Sequence, residues 1–241
     1  MRIYAIGDIH GQLEMLEAAH ERIADDRART GDDAAPVVHL GDLVDRGPDS
    51  RGVIAYLIDG IAAGQPWIAI KGNHDQMFRD QLRDEPVGRA PFDAWMSANM
   101  GGGATMASYG VTPRSWATSR RQRRELADTV PEAHVAFLDG LPAYHETPHL
   151  LFVHAGIRPG LPLSDQIEED LMWIRYDFLD DPRDHGPLVV HGHTPVDAPM
   201  HCGNRVNLDS GAGFGRPLTA AVFEGRDVWV LGPEGRVPLL P

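Results

Sequence analysis

Five apolar runs rich in β-branched residues are spread along the chain, and each of them ends at a polar cluster. The runs are short, with the length that is typical of a buried strand. At least one His, Asp or Asn follows each run, usually beside a glycine. The runs are RIYAI (2–6), PVVHL (36–40), WIAI (67–70), HLLFV (149–153) and PLVV (187–190).

Helical periodicity appears between the first three runs. Residues 12–28 and 49–64 are predicted to be helices, because apolar residues recur there at spacings of three and four. Gly31 follows the first segment as a stop signal, and Asp49 or Ser50 can cap the second. Strand–helix–strand order at this spacing indicates βαβ units, whose ligand sites lie at the carboxyl ends of the strands. The pattern therefore predicts an α/β fold with a site where the polar clusters fall.

The middle and the end of the chain have different patterns. Residues 76–138 predict helical segments joined by polar loops, with a glycine run at 101–103. We interpret this region as a helical cap inserted over the site, within a single domain that spans residues 1–241. From Arg205 onward the chain shows short strand patterns separated by tight glycine turns, which predict a meander.

Composition narrows the class of protein. A net charge of −13 argues against nucleic-acid binding, which needs a basic surface. The same charge would repel an anionic substrate unless bound cations offset it. Cys202 is the only cysteine, so no internal disulfide is possible. We find neither a signal-peptide pattern nor an apolar run of the roughly 18 residues that span a membrane. We therefore expect a cytoplasmic protein without membrane association, of undetermined oligomeric state.

The polar clusters together supply a set of metal ligands. Singly, each could be a glycine-flanked turn, and a lone histidine such as His154 is more often a satisfied core residue. Coincidence at five strand ends is improbable. Imidazole, carboxylate and amide oxygen without thiolate suit Mn, Fe or Zn. The candidate ligands are Asp8, His10, Asp42, Asn73, His154 and His193.

Six protein ligands are too many for one ion that must keep an open coordination position. They suit two divalent ions about 3.5–4 Å apart, with Mn as the first choice and Fe or Zn as alternatives. Asp42, central in the order, is our choice for the carboxylate that bridges them. Asp8 and His10 would hold the first ion. The second would be held by the remaining candidates, Asn73, His154 and His193.

Five short motifs contain these candidates: GDIHG (7–11), GDLVDRG (41–47), GNHD (72–75), HAG (154–156) and GHTP (192–195). Together they resemble the calcineurin-like metallophosphoesterases, and more narrowly the serine/threonine phosphoprotein phosphatase branch in its bacterial and phage form. The resemblance extends from Met1 to about Phe223, including MWIR (172–175) and NLDSGAGFGRPLTA (207–220). It implies a two-metal α/β sandwich in which mixed β-sheets are flanked by α-helices.

The resemblance also implies roles for residues that are not ligands. His74 matches the histidine that protonates the leaving oxygen, and Asp45 would be the carboxylate that orients its ring. Arg46 and Arg175 match the phosphate-binding arginines, whose guanidinium groups suit phosphate oxygens. Asp75 matches no chemical role, so we expect a capping or salt-bridging function for it.

Two positions bear on which branch of the superfamily the chain resembles, and a third concerns the metal ligands. Many metallophosphoesterases have G-H-x-H where this chain has Pro195, as in the phosphoprotein branch. Diadenosine tetraphosphate hydrolases of the superfamily resemble GDLVARG, whereas this chain has Asp45 in place of the alanine. His191 lies two residues before His193, and alternation along an extended chain would point both the same way. It is either an extra ligand or, as we favour, a residue behind the ligands.

Two further features leave their role open. The segment RRQRR (120–124), with Arg114 nearby, is the one basic patch of an acidic chain. It is either a solvated helix face or a docking surface for acidic phosphopeptides. Trp95 is expected mainly to pack between helices, and it could line the entrance of the cleft together with the glycines at 101–103.

The prediction that follows is a metal-dependent phosphatase that acts on phosphoserine and phosphothreonine in proteins or peptides. Hydrolysis would proceed by direct attack of a dimetal-bound hydroxide, without a covalent phosphoenzyme. One alternative is a nucleoside polyphosphate hydrolase of the diadenosine tetraphosphate type. Another is a catalytically silent relative that only binds phosphoproteins.

Overall fold

The computed structural model describes residues 1–83 and 91–241. Its strands are β1 (Arg2–Ile6), β2 (Val37–His39), β3 (Trp67–Ala69), β4 (Tyr144–Glu146), β5 (Leu150–Val153), β6 (Leu188–His191), β7 (Met200–His201), β8 (Arg205–Asn207), β9 (Ala220–Glu224), β10 (Asp227–Gly232) and β11 (Gly235–Pro238). Its helices are α1 (Leu13–Thr30), α2 (Ser50–Ala62), α3 (Asn73–Gln81), α4 (Phe92–Trp95), α5 (Gly102–Ser108), α6 (Ser119–Thr129), α7 (Glu132–Gly140), α8 (Glu168–Trp173) and α9 (Tyr176–Leu179).

The strands form two mixed sheets. The first has the order β11-β10-β9-β1-β2-β3, in which β1, β2 and β3 are parallel and β9 to β11 form an antiparallel meander. The second has the order β4-β5-β6-β8-β7, with a parallel centre of β5, β6 and β8. All five predicted runs are strands, and the predicted α/β sandwich of mixed sheets flanked by helices is confirmed.

Both faces of the first sheet are buried at its centre, which explains why β1, β2 and β9 are largely apolar. In β1, Ile3 and Ala5 point toward the second sheet and pack in the core that contains Phe152. Tyr4 and Ile6 point the other way, into the larger core formed with the helices. The two-residue alternation of a strand thus serves two cores at once.

Helix α1 ends, and helix α2 begins, at a signal that was identified in the sequence. Helix α1 ends at Gly31, whose φ of 68° is the left-handed conformation that favours glycine. Helix α2 is capped by the Asp49 side chain, which accepts a hydrogen bond from the backbone N–H of Gly52 at 2.7 Å. Both helices follow strands of the first sheet, so they carry the chain back to start the next parallel strand.

All described elements between α3 and β4 are helices, namely α4 to α7. They belong to the segment predicted as a helical cap over residues 76–138, of which residues 84–90 lie outside the described part of the chain. Helices α5 and α7 pack on α2, and α7 also packs on α3. In the described ranges, no helix has both the length and the apolar character needed to cross a bilayer.

Candidate metal centre

The loops that follow β1, β2, β3, β5 and β6 meet at one edge of the sandwich and carry the predicted ligands. Carboxyl ends of parallel strands lie on the same edge of a sheet, so residues far apart in sequence come together there. All six side chains are buried, with exposed fractions of 0–6%. They are Asp8, His10, Asp42, Asn73, His154 and His193.

The backbone of these loops adopts conformations that most residues avoid. Every non-glycine residue with positive φ in the described ranges lies in this site. A left-handed conformation costs an L-residue about 1–2 kcal/mol, and it persists where the surroundings enforce it. Strain gathered at one place indicates a functional site rather than a set of ordinary turns. The five residues are His10 (49°), Asp42 (48°), Asp45 (73°), Arg46 (68°) and His193 (65°).

Asp42 occupies the centre of the cluster. Its Oδ2 lies 3.5 Å from Nε2 of His10, and its Oδ1 lies 3.3 Å from Nε2 of His154. The two carboxylate oxygens therefore face histidines of different loops, as a carboxylate shared by two ions would. Burial alone would raise the pKa of Asp42, but the surrounding histidines hold it below its usual value.

Asn73 joins the histidines of the second sheet. Its Oδ1 lies 2.9 Å from Nε2 of His154 and 2.8 Å from Nδ1 of His193. The nitrogen and oxygen atoms of Asp42, His154 and His193 all lie within 4.8 Å of one another. Their arrangement fits the group predicted to hold the second ion.

In two of the histidines, the ring nitrogen that points away from the cluster donates a hydrogen bond to a backbone carbonyl. Nδ1 of His10 donates to the carbonyl of Val44 at 2.9 Å, and Nδ1 of His154 donates to that of Leu40 at 2.8 Å. Each bond fixes the tautomer and leaves Nε2 with its lone pair facing the cluster, the arrangement found around metal-binding histidines. Burial lowers the pKa of both rings, which favours the neutral form that binds metal.

Asp8 tests whether the cluster suits a cation. Its Oδ2 accepts the backbone N–H of His193 at 3.0 Å, whereas its buried Oδ1 has no partner among the described residues. Burial and the nearby carboxylates of Asp209 and Asp42 raise its pKa well above the usual value. An unpaired buried carboxylate oxygen costs several kcal/mol, and a divalent ion would remove that cost. The donor set therefore fits a metal centre.

His74 also lies in this cluster, with its ring held by Asp45. Nδ1 donates to Oδ2 of Asp45 at 2.7 Å, so Nε2 faces the cluster 4.0 Å from Oδ2 of Asp42. Burial would lower the pKa of His74, but the carboxylates of Asp42 and Asp45 raise it above its ordinary value. This is the pairing predicted for an acid and its orienting carboxylate. The ligand atoms of His74, His10 and Asp42 also lie within 4.8 Å of one another, so the metal content of a His74 variant distinguishes an acid from a ligand.

Two side chains that orient Asp45 were not foreseen in this role. Nε1 of Trp95 donates to Oδ2 of Asp45 at 2.9 Å, and the hydroxyl of Thr105 donates to Oδ1 at 2.6 Å. Trp95 packs against Phe78 and Phe92, as expected, but it is fully buried and does not line an entrance. No local sequence signal links α4 and α5 to the loop after β2, so these contacts require the folded structure.

Asp75 caps the start of α3, which is one of the functions expected for it. Its carboxylate accepts the backbone N–H groups of Gly72 and Leu43, both at 2.9 Å. Burial, together with the charge of Asp42, raises the pKa of Asp75 to about 8. The residue ties the loop after β3 to the loop after β2, and thereby fixes Asn73 relative to Asp42.

Arg46 reaches across the mouth of the cluster. Its Nη2 lies 3.1 Å from Nε2 of His74, and its Nη1 contacts Nε2 of His10. The guanidinium carbon lies 4.7 Å from the centroid of the Phe214 ring, which supports the arginine from the solvent side. A Cβ on Gly101 would lie 2.5 Å from the backbone nitrogen of Arg46, so the glycine run permits this close approach.

Arg175 lies on the opposite side of the cluster from Arg46. Its Nε donates toward Nε2 of His193 at 3.2 Å, and its side chain is exposed. Arg158 was the other arginine in this region to consider, but it is paired with Asp170 at 2.7 and 2.8 Å. Arg175 is therefore the better placed of the two to meet a phosphoryl group at the mouth.

His191 does not join the candidate ligands. It is buried against Phe178, and its Nε2 lies 3.4 Å from Arg205. Its expected alternation with His193 fails because His193 has positive φ, which turns the chain out of the extended conformation. Of the two roles considered, the position behind the ligands is the one the geometry supports.

The basic segment 120–124 is divided between two environments. Arg123 is buried and donates to the carbonyl of Gln81 at 3.2 Å. Arg114 forms a two-bond pair with Glu125. The remaining arginines are exposed on α6. This exposure is compatible with both roles considered for the segment, a solvated helix face and a docking surface.

A comparison with families of known proteins shows which family the chain belongs to. The model of the calcineurin-like phosphoesterases matches residues 1–231. The chain belongs to this family. It is accordingly a phosphoesterase, a hydrolase of a family that uses a dimetal centre, and its Asp and His groups are able to bind metal ions.

Relatives of this phosphoesterase include bacterial enzymes of one name. The asymmetrical bis(5'-nucleosyl)-tetraphosphatase PrpE of Bacillus thuringiensis is 27% identical, covering 91% of this chain and 89% of that protein. The enzyme of the same name from Geobacillus thermodenitrificans is 28% identical, again covering 91% of this chain and 89% of that protein.

Solved structures with the same fold have several names. A chain provisionally named a diadenosine tetraphosphatase has a TM-score of 0.63 at 22% identity, covering 99% of this chain and 94% of that one. A cold-active protein-tyrosine phosphatase of a Shewanella species has a TM-score of 0.62 at 17% identity, and the match covers 99% of this chain and 80% of that one. A protein serine/threonine phosphatase of Saccharomyces cerevisiae has a TM-score of 0.54 at 15% identity, and the match covers 98% of this chain and 76% of that one. At these identities the likeness concerns the fold.

Proposed function

We propose that this phosphoesterase is a serine/threonine phosphoprotein phosphatase that hydrolyses phosphomonoesters. The observation that carries the proposal is the buried pair of His74 and Asp45, in which Nε2 of His74 faces the metal centre. A serine or threonine alkoxide is a strong base and needs a proton in order to leave. An imidazole held by a carboxylate, with a raised pKa, suits that task.

Residues of the chain divide the remaining work between them. Asp8, His10, Asp42, Asn73, His154 and His193 would hold two divalent ions, with Mn as the proposed metal and Fe or Zn as alternatives. Such ions supply positive charge to the phosphoryl oxygens and lower the pKa of the attacking water. Arg46 and Arg175, one on each side of the cluster, would bind and orient the phosphoryl oxygens. His74 would donate its Nε2 proton to the leaving oxygen while Asp45 holds the ring.

A second candidate function is asymmetrical hydrolysis of dinucleoside tetraphosphates. The name of the relatives that match 91% of the chain favours it. The leaving group would then be a nucleotide phosphate, which is far less basic than an alkoxide and gains less from a general acid. The orientation of His74 by Asp45, which is itself held by Trp95 and Thr105, favours the phosphomonoester instead.

A direct comparison of substrates tests the proposal. The purified chain, loaded with Mn, Fe, Zn or Mg in turn, is assayed with a phosphoserine peptide and with diadenosine tetraphosphate. We expect kcat/KM to be at least about tenfold higher for the peptide, which corresponds to about 1.4 kcal/mol. The opposite ratio would establish the second candidate. Two bound ions without turnover of either compound, or of p-nitrophenyl phosphate, would identify a silent phosphoprotein-binding relative.

The proposal also includes the cellular location of the protein and the molecules that it binds. We propose that it acts in the cytoplasm on phosphorylated proteins or peptides, and that it binds neither nucleic acid nor membranes. The net charge of −13 supports the absence of nucleic-acid binding. A filter-binding assay with single- and double-stranded DNA should show no retention at physiological salt.

A further inference from the structure

A pocket of about 550 Å³ lies between α1, the segment 217–219 and the turn that joins β10 to β11. Small-molecule sites commonly have volumes of roughly 300–1,000 Å³ and mostly apolar walls with a few polar groups. The helix contributes Met15, Ala18 and Arg22, which share one face because they are three and four residues apart. Leu218 and Leu231 contribute apolar surface from the other walls. None of the candidate metal ligands lines this pocket.

Among the polar groups that line the pocket, Arg22 is the one with an unused hydrogen-bond donor. Its Nη2 donates to the backbone carbonyl of Leu218 at 3.0 Å, while its Nε is buried without a partner. No carboxylate of the described residues is paired with this guanidinium, and burial lowers its pKa. Arg22 is half-buried, and a guanidinium partly removed from water without a counter-charge is costly, so a bound anion would offset that cost.

The other polar groups of the pocket are already satisfied. The hydroxyl of Ser210 donates to the carbonyl of Pro217 at 2.6 Å and lies 2.7 Å from the hydroxyl of Thr219. Asp197, the acidic residue of the wall, is fully exposed and paired with Arg216 at 2.7 Å. The pocket therefore offers one positive charge and an apolar interior, which together match a monoanion with an apolar body.

We propose that this pocket binds a small apolar carboxylate, with the carboxylate on Arg22 and the apolar body between α1 and the β10–β11 turn. A monoanionic carboxylate matches the single unpaired guanidinium, whereas a phosphate dianion would find only one cation. Nothing in the proposed phosphatase activity requires this site. It is a second binding site on the same chain.

Isothermal titration calorimetry with decanoate tests the proposal, using the full chain loaded with metal. The titration is carried out both without and with excess inorganic phosphate, because a carboxylate could otherwise bind at the metal centre. We expect decanoate to bind with one site per chain, and decanol, which lacks the charge, to bind about tenfold more weakly. Loss of decanoate binding when phosphate is added would place the ligand at the metal centre and overturn the proposal. Equal affinities for decanol and decanoate would show that Arg22 does not bind the carboxylate, and would overturn the proposal.

Two variants locate the ligand. Arg22→Met keeps an apolar chain of similar length but removes the charge, so decanoate should bind about tenfold more weakly while decanol is unaffected. Ala18→Phe fills the pocket and should abolish binding of both. Arg120→Met, on the exposed face of α6, is the matched control and should bind decanoate like the original chain. Circular dichroism and turnover of p-nitrophenyl phosphate check that each variant is folded.

Two results would contradict the site. Unchanged decanoate affinity in both Arg22→Met and Ala18→Phe would place the ligand elsewhere on the chain. Sedimentation that shows a dimer, converted to a monomer by Ala18→Phe, would make this face an interface between two copies. Either result overturns the proposal.

Discussion

At the residue scale, the sequence predicted which side chains assemble but not how each of them is held. Apolar runs that end in His, Asp or Asn were sufficient to group the six candidate ligands. The tautomers of His10 and His154 depend on the carbonyls of Val44 and Leu40, which no sequence pattern indicates. The left-handed backbone of His193 likewise defeated the alternation argument for His191.

The central position of Asp42 leads to a test of the bridging role. Asp42→Asn keeps the shape of the side chain but removes the charge that faces both His10 and His154. We expect loss of bound metal at one or both positions and near-complete loss of turnover with any metal supplied. Metal analysis of the purified variant, together with p-nitrophenyl phosphate assays, measures both. Two ions per chain with full turnover would show that Asp42 is not the bridge.

The role of His74 can be tested by changing the basicity of the leaving group. p-Nitrophenolate leaves without a proton, whereas a serine alkoxide does not. General acid catalysis contributes about 10²–10⁴ in rate, so His74→Asn should lose that much on a phosphoserine peptide and clearly less on p-nitrophenyl phosphate. Asp45→Asn should show the same asymmetry more weakly, because the ring stays but loses its orientation.

Metal content is the control for this test, because His74 lies within reach of His10 and Asp42. An acid can be removed without loss of metal, so both variants should keep two ions per chain. Loss of an ion from His74→Asn would make it a ligand. Equal losses on both substrates with metal retained would assign the residue to positioning of phosphate.

Variants of the two arginines at the mouth of the cluster should differ from variants of His74 in their kinetic effects. Arg46→Ala should weaken both turnover and inhibition by inorganic phosphate, because product and substrate share the same contacts. Arg175→Ala should do so to a similar or smaller extent, since its side chain is more exposed. Phosphate inhibition constants measured with p-nitrophenyl phosphate provide the comparison. Unchanged kinetics in Arg175→Ala would move the second phosphate contact to another arginine.

At the scale of the elements, the strands and the first two helices were more predictable than the helices of the middle segment. Asp49 and Gly31 mark helix ends through local chemistry, so a sequence can reveal them. The packing of α4 and α5 over Asp45 depends on the tertiary structure. Trp95 was expected to pack, yet it also donates a hydrogen bond to Asp45, and no signal identified Thr105.

The contact from α4 predicts a long-range effect on catalysis. Trp95→Phe keeps most of the packing but removes the N–H that Asp45 accepts, so Asp45 holds His74 less firmly. We expect about a tenfold loss on the phosphoserine peptide, toward the low end of what general acid catalysis contributes, and little loss on p-nitrophenyl phosphate. Trp229→Phe, on β10, is the matched control and should leave both rates unchanged. A uniform loss on both substrates would indicate a general disturbance of the fold instead.

At the scale of the whole molecule, charged residues join the two ends of the chain. Arg236 of β11 forms two bonds with Asp26 of α1, each at 2.8 Å, and a further bond with Glu224. Tyr4 of β1 donates its hydroxyl to Asp26 at 2.8 Å. No sequence pattern indicated this network, because Arg236 and Asp26 lie 210 residues apart in sequence.

This network predicts an acid-sensitive part of the stability. Burial would raise the pKa of Asp26, but Arg236 and Tyr4 hold it below the usual 3.8, and hydrogen bonds from Arg236 and Arg2 hold the pKa of Glu224 below 4.5. A carboxylate with a lowered folded-state pKa stabilises the fold above its unfolded pKa, and that stabilisation is lost as the pH falls through the folded value.

Arg236→Met should therefore destabilise the chain at about pH 6, and this difference should shrink as the pH falls through the lowered folded-state pKa values of Asp26 and Glu224. Urea unfolding of metal-free protein at several pH values measures the difference. Subtracting the variant from the original chain cancels the titration of Asp8 and the other buried carboxylates of the metal centre. Arg226→Met, on an exposed turn, should show no such dependence. A difference that stays constant with pH would mean that Arg236 stabilises the fold by packing on Trp229 rather than through its charge.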